Sequence, residues 1–456
     1  MNPSTHADNA AHDIAAHLHP FTNLATHPQV GPLVIRRGDG IFVEDDQGRR
    51  YLEAMSGLWC ASLGFSNERL AKAGSEALRS LPYYHTFNHR SNEAAIALAE
   101  KLLTLAPVPM SKVFFANSGS EANDSAVKLV WYYHNAIGKP DKKKIIARRN
   151  AYHGVTVAAA SLSGLVPNHR DFDLPIARIL HVDCPHHYRY AEAGESEEAF
   201  ATRLADALEK RILEEGPETV GAFIAEPVMG AGGVLVPPAT YFEKVQAVLA
   251  KYEVLLIADE VICGFCRTGE MFGSTTFGLR PDILTAAKAL SSGYVPISAV
   301  MVSEKVHAAV AANSGKIGTF GHGFTYSGHP VACAIALETL QAYEDENILA
   351  HVKTLAPRFQ QGLQRYAARP HVGEVRGVGL IGAIELAADP ARRTPFDPAQ
   401  KAGARVAELA LEQGLIVRAM GDAVAFCPPL VISAAQIDEM FERFDRALVG
   451  FEASMA

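Results

Sequence analysis

The chain has 456 residues, 48% hydrophobic and 20% charged, with a formal net charge of 42 − 50 = −8. That length accommodates two domains, or a large one with a satellite, and the mixed, slightly acidic balance points to neither nucleic acid nor an anionic membrane as partner. Six scattered cysteines are too few for a disulfide framework and fit reduced thiols in the cytoplasm; no secretory h-region or membrane-length apolar run is present.

In chain order, residues 8–19 read as a helix, followed by an arm punctuated by Pro20, Pro28 and Pro32. Ile41–Val43, Asp45–Gly48 and Tyr51–Leu52 read as a hairpin turning at Gly48. From about residue 70 the pattern alternates between helices and short apolar runs. Lys112–Ala116, Lys144–Ala147, Ile179–Val182, Val220–Ala225, Val254–Ala258 and Ile297–Val302 are strands. Ser118–Ile137, Glu198–Glu215 and Ala239–Tyr252 are helices. Strands apolar throughout belong to a parallel sheet covered on both faces. After Pro330 come a long helix and a strand-and-helix region with its own apolar pattern. The organisation is therefore α/β. Residues 1–70 form an N-terminal arm and hairpin, 71–330 a large domain, and 331–456 a smaller α+β domain that the N-terminal segment joins.

Three segments carry chemistry. The strand ending Ala258-Asp259-Glu260 places two carboxylates at the carboxyl edge of the sheet, where open α/β folds bind ligands. Lys288 follows in Ala286-Ala287-Lys288-Ala289, with no other charge from Ile283 to Val302. Alone, it is either a snorkelling surface lysine or a desolvated amine usable as a nucleophile. Paired with a strand-end carboxylate, it matches what pyridoxal phosphate requires. The lysine forms a Schiff base, and the carboxylate keeps the pyridine nitrogen protonated so that the ring accepts a carbanion's electrons. In Asn117-Ser118-Gly119-Ser120-Glu121, a strand runs into a helix with a capping-box spacing. Free N–H groups and the positive dipole end make such a helix start a phosphate seat.

These segments resemble the class III, fold-type I pyridoxal-phosphate aminotransferases, and most closely the pyruvate-dependent ω-aminotransferases. The likeness runs from Tyr51–Trp59 through Ala151–Gly154, Ala225–Val228, Asp259–Gly269 and Lys288 to Gly323–Pro330. It implies a mostly parallel seven-stranded sheet between helices, with a smaller α+β domain built from both termini. Ser118, Gly119 and Ser120 would bind phosphate, Tyr152 and Val261 would cover opposite faces of the pyridine ring, and Asp259 would pair with its nitrogen. Glu226 would lie beside the cofactor and meet a substrate-side arginine. Phe324 and Thr325 would reach the phosphate of a neighbouring subunit, giving a homodimer with shared sites. Ala289 stands where family members often have glycine.

The resemblance also implies a substrate pocket of Phe21, Trp59, Phe87, Tyr152 and Arg418, with a guanidinium that grips pyruvate's carboxylate and moves aside for an apolar amine. Lys288 would carry the cofactor and shuttle the proton of a ping-pong transamination. Within the family, a 2-oxoglutarate-dependent 4-aminobutyrate or ornithine type and an aminomutase are the alternatives.

Three other patterns are set aside. Gly377–Gly382 matches G-x-G-x-x-G, but no clear strand feeds it and a strand follows, so it is not a dinucleotide site. Cys263-Gly264-Phe265-Cys266 has no second cysteine pair for zinc. The histidines at 6, 12, 17, 19 and 27, and the pair His186-His187, lack carboxylate partners at ligand spacing and read as solvated surface. No metal is expected.

Overall fold

The structure, a computed structural model, describes residues 6–455, with side chains from residue 9 onward. The central sheet has seven strands, in the order Lys112–Ala116, Ser298–Val302, Ile283–Ala286, Leu255–Asp259, Val220–Ala225, Lys144–Arg148 and Ile179–Val182. Ser298–Val302 runs antiparallel to both neighbours, and the pairings from Ile283–Ala286 to Ile179–Val182 are all parallel.

Burial explains the unbroken apolar runs. Leu255 and Ile257 pack beneath the helix Gly119–Ala136, in one cluster with Ala122, Ala126 and Val130. Leu256 and Ala258 face the opposite layer, with Phe200, Leu204 and Val245 of the helices Glu197–Glu215 and Tyr241–Lys251. Alternate side chains along each strand therefore meet different helical layers. Each large aliphatic or aromatic residue so buried contributes roughly 1.5–3 kcal/mol of transfer free energy.

Two four-stranded sheets lie beyond the central one. The N-terminal hairpin Phe42–Asp45 and Arg50–Glu53 takes up Leu415–Ile416 in parallel, Leu415 opposite Leu52, so both ends of the chain share one sheet. The other sheet orders Val372–Val378, Ile381–Leu386, Ala423–Phe426 and Arg418–Met420.

Several expectations need correction. A strand does feed the glycine-rich Gly377–Gly382 stretch, but it forms an antiparallel hairpin with its successor and no helix follows. Gly379 makes the turn at φ +58°, where a Cβ would lie 2.4 Å from the Arg267 carbonyl oxygen. The first helix is His6–Ala16, ending before His17. The His-rich start is not simply solvated: Asp13 is a carboxylate partner to His17, His19 and His27, and His27 is buried. The side chain of His6 lies outside the described residues. His186 is buried and bonded to Glu374 at 2.8 Å, while His187 reaches the Glu195 carbonyl. Distance along the chain hid these partners, since Glu374 is 188 residues from His186.

Candidate active site

The carboxyl edge of the central sheet gathers the predicted residues. Gly119, Ser120, Tyr152, Glu226, Asp259, Val261 and Lys288 line one cavity of about 150 Å³, together with Asn123, His153, Gly154 and Ile262. Ser118 is not among the lining residues; it caps the helix, its Oγ accepting from the Glu121 N–H at 3.2 Å. Glu121 turns back to the Asn117 N–H at 2.7 Å, one residue earlier than a capping box requires. Gly119 and Ser120, the first residues of this 18-residue helix, line the cavity, which places the helix's positive dipole end there. Ser120 Oγ accepts from the Val155 N–H at 3.1 Å, which draws the Tyr152–Val155 loop against the helix start. Gly154 sits at φ +129°, and a Cβ there would come within 2.5 Å of Ser120 Oγ. That close approach demands glycine.

Asp259 is 3% exposed and held from three sides. Asn123 Nδ2 donates to its Oδ2 at 2.8 Å, His153 Nδ1 lies 2.7 Å from the same oxygen, and the Val261 N–H donates to Oδ1 at 3.1 Å. Asn123 Oδ1 accepts from Thr285 on the strand leading to Lys288, at 3.0 Å. A carboxylate fixed in this way is pre-oriented rather than free to choose partners. Asn123 and His153 were missed by the sequence reasoning. Their signal was proximity to assigned residues: Asn123 lies one helical turn beyond Gly119, and His153 follows Tyr152. The Nε2 of His153 is buried and unpartnered among the described residues.

Glu260, the second carboxylate of the pair, is fully buried on the other side and accepts from the backbone of Gly273 and Ser274. Burial raises its pKa to about 7 against those bonds. Glu226 behaves as a brace: its oxygens accept from the Tyr152 and Gly230 N–H groups, each at 3.0 Å. Its carboxylate makes no ion pair with an arginine among the described residues. Burial raises its pKa.

Lys288 follows the strand Ile283–Ala286 at φ +48° and belongs to two cavities at once. Burial lowers its pKa, while Cys60, Asp259 and Glu226 pull it back up. Its second cavity, about 590 Å³, is lined by Phe21, Leu58, Trp59, Tyr152, Pro167, Ile262, Met420 and Arg418, among others. Trp59 is buried, whereas Phe21 is 69% exposed with its ring 6.4 Å from that of Tyr152. Arg418 is half-buried and makes no ion pair among the described residues, and burial lowers its pKa. Apart from Lys288, it is the one cation among these lining residues.

Three predicted residues stand elsewhere. Phe87 is 42% exposed and packs over Gly323, and Thr325 is exposed, its carbonyl accepting from Tyr83 at 3.0 Å. Phe324 packs against Phe114 in a tilted contact and against His322 edge-on. None of the three lines the pocket of its own chain. Cys263 and Cys266 are buried free thiols, with burial pushing both pKa values up, to about 12 for Cys266.

The chemistry fits pyridoxal phosphate: a phosphate-sized helix start, an aromatic and a valine flanking the cavity, a fixed carboxylate and a desolvated lysine. Comparison with known proteins agrees. Residues 25–448 match the family model of class-III aminotransferases. The chain is 52% identical to γ-aminobutyrate transaminase 1, mitochondrial, of Oryza sativa over 96% of its length and 85% of the relative's. It is 50% identical to vanillin aminotransferase of Capsicum chinense, covering 96% and 95%. The structure of the ω-transaminase from Pseudomonas jessenii in complex with PMP matches with a TM-score of 0.96 and 56% identity, covering 97% of this chain and 98% of that one.

Proposed function

The chain belongs to the class III aminotransferases, and from that membership we propose that it carries pyridoxal phosphate on Lys288 and transfers an amino group from a primary amine or ω-amino acid to pyruvate, giving alanine. When bound, the cofactor supplies the electron sink for the carbon that loses its proton. Asp259, immobilised by Asn123 and His153, holds the ring-nitrogen proton. Gly119 and Ser120 seat the phosphate at the helix start that Ser118 caps, and Tyr152 and Val261 confine the ring from either side. Lys288 Nζ, its basicity lowered by burial, would take the proton from the amine-bearing carbon and pass it to the cofactor, and in the second half-reaction would carry a proton the opposite way.

One observation carries the acceptor assignment. The pocket beside Lys288 is mostly aromatic and aliphatic, with Asn150 and Asn168 as neutral polar groups and the guanidinium of Arg418, unpaired among the described residues, as its other cation. One guanidinium serves one carboxylate, as in pyruvate or an ω-amino acid. A second carboxylate, as in 2-oxoglutarate, would be desolvated against Trp59, Ile262 and Met420 without a counter-charge. An apolar amine occupies the same walls once Arg418 swings out.

We infer a homodimer: Phe87, Phe324 and Thr325 cluster away from their own chain's pocket, placed for the site of a second subunit. The unbridged cysteines suit the cytoplasm, and no helix among the described residues is long and apolar enough to cross a membrane.

A panel of keto acids with one amine donor tests the reading. Alanine formation from pyruvate should outpace glutamate formation from 2-oxoglutarate by at least about tenfold, the discrimination expected of one unmatched charge. Preference for 2-oxoglutarate would refute the pyruvate assignment in favour of the 4-aminobutyrate or ornithine type. An isomerised amine without net transfer would identify an aminomutase.

A further inference from the structure

Outside the active site, two groups of side chains converge as metal ligands do. In the first, His186, Glu374 and Glu385 meet at the junction between the central sheet and the sheet of Val372–Val378. Their carboxylates are already matched by arginines: Arg376 bonds Glu374 at 2.6 Å and Glu385 at 2.7 Å, and Arg189 bonds Glu385 at 2.7 Å. A cation has nothing left to neutralise there.

The second group differs. Asp13 on the first helix directs Oδ1 at His17 Nδ1, 3.2 Å away. Its Oδ2 faces His19 Nε2 at 2.6 Å and His27 Nε2 at 3.4 Å. The three imidazoles lie side by side, with ring centroids 4.3 Å apart between His17 and His19 and 4.2 Å between His19 and His27. No lysine or arginine among the described residues pairs with Asp13. Residues 13–19 thus bring two imidazole nitrogens to one carboxylate, and His27, outside that group of three, reaches the same carboxylate from a second stretch of chain. A tetrahedral zinc site with bonds of about 2.0–2.2 Å separates its ligand atoms by about 3.3–3.5 Å. The ligand atoms of Asp13, His17 and His19 already fall within 4.8 Å of one another.

The cluster closes a loop of functional interest. Phe21 lies between His19 and His27 and lines both the Lys288 pocket and an adjoining apolar chamber of about 640 Å³. The base of the loop is anchored, because His27 is buried and Asn9 bonds Asp46 of the hairpin at 3.3 Å. We propose that Asp13, His17 and His19 form a site for a borderline divalent metal ion such as Zn²⁺, with His27, now 3.4 Å from Asp13 Oδ2, drawn in as the fourth ligand on binding, and that the ion staples the N-terminal arm and fixes Phe21 at the mouth of the substrate pocket. The donor set of three imidazoles and one carboxylate is of the type such ions select. Closing the loop from residue 19 to residue 27 restricts the arm's freedom at its two ends. The site's role is structural, with no part in the transfer chemistry.

The test uses the untagged holoenzyme, stripped of metal by chelator and desalted, then titrated with Co²⁺ and with Zn²⁺. One ion per chain should bind with a dissociation constant on the order of micromolar or tighter, Co²⁺ giving the ligand-field bands of a four-coordinate site. H17A and D13N should each weaken binding by about tenfold or more. His17 has a side chain 59% exposed, so H17A leaves the packing of the arm intact. Proteolysis within residues 17–27 should slow on adding Zn²⁺ in the wild type and not in D13N. Failure of wild-type enzyme to bind Co²⁺ or Zn²⁺ below about millimolar would overturn the proposal. So would wild-type affinity in both variants, since the ion would then sit elsewhere. None of these readouts depends on turnover, so the aminotransferase reading stands or falls separately.

Discussion

Replacing Arg418 by leucine separates the two half-reactions. In the structure this guanidinium is half-buried in an apolar pocket and has no carboxylate partner among the described residues. Its removal therefore breaks no protein ion pair and leaves no buried charge stranded, and the fold should be unaffected. What is lost is a charge-assisted, bidentate grip on the acceptor's carboxylate. Hydrogen bonds to charged groups are worth about 1.5–3 kcal/mol, and each 1.4 kcal/mol is about tenfold. The kcat/KM for pyruvate should fall by about 10- to 150-fold, mostly through KM, because the carboxylate is held before and during the reaction alike. The half-reaction with an arylalkylamine should change by no more than about twofold, since that substrate needs the arginine displaced. Stopped-flow absorbance of the cofactor follows each half-reaction separately. A uniform loss in both, or an unchanged pyruvate step, would refute the assignment of Arg418 as the carboxylate anchor.

Lys288→Ala should abolish turnover, and borohydride treatment should leave no covalent cofactor on the chain by mass spectrometry, while non-covalent cofactor is retained by the helix start and Asp259. Arg376→Met should destabilise the protein by about 3–5 kcal/mol in urea titration, the cost of breaking a buried charge network. Its guanidinium bonds Glu374, Glu385 and the carbonyls of Gly233 and Val234. Because Ala231 and Gly232 line the substrate pocket, KM for the amine should rise in the same variant. Glu53 supports the bend that leads to Trp59, accepting from the Met55 and Gly57 backbone, and burial raises its pKa from 4.5 to about 7. For an acid with a raised folded pKa, the contribution to stability is full below about pH 4.5 and is lost as pH rises through about 7. The loss is about 3 kcal/mol at 1.36 kcal/mol per unit. The melting temperature of Glu53→Gln should consequently decline less than that of the wild type between pH 5 and pH 8 in matched scans. An identical slope would show that Glu53 does not carry this titration.

The central sheet was readable because burial on both faces leaves a local mark: unbroken apolar runs such as Val220–Ala225 and Leu255–Ala258, separated by amphipathic helices. Its order, and the reversed direction of Ser298–Val302, carry no such mark. The small sheets were harder still, since Leu415–Ile416 is only two residues long and exists as a strand because the N-terminal hairpin offers it an edge. Helix ends shifted by up to three residues, as in the first helix, which stops at Ala16 rather than His19.

The site divides along the same line. Chemistry-bearing residue types in an ordered series (Ser118–Ser120, Tyr152, Asp259, Lys288) are properties of the chain, and they determined the cofactor and the reaction class. Only the tertiary structure decided which of two adjacent carboxylates faces the cavity. Asp259 meets Asn123 and His153, whereas Glu260 points away into the backbone of Gly273 and Ser274. It likewise decided that Glu226 braces two loops, that Phe87 stands with Thr325 outside the pocket, and that the arm's histidines surround Asp13. The reason is physical: a residue's type states what it can bond, but its partner is set by which distant segments packing brings within about 3 Å, the reach of a hydrogen bond.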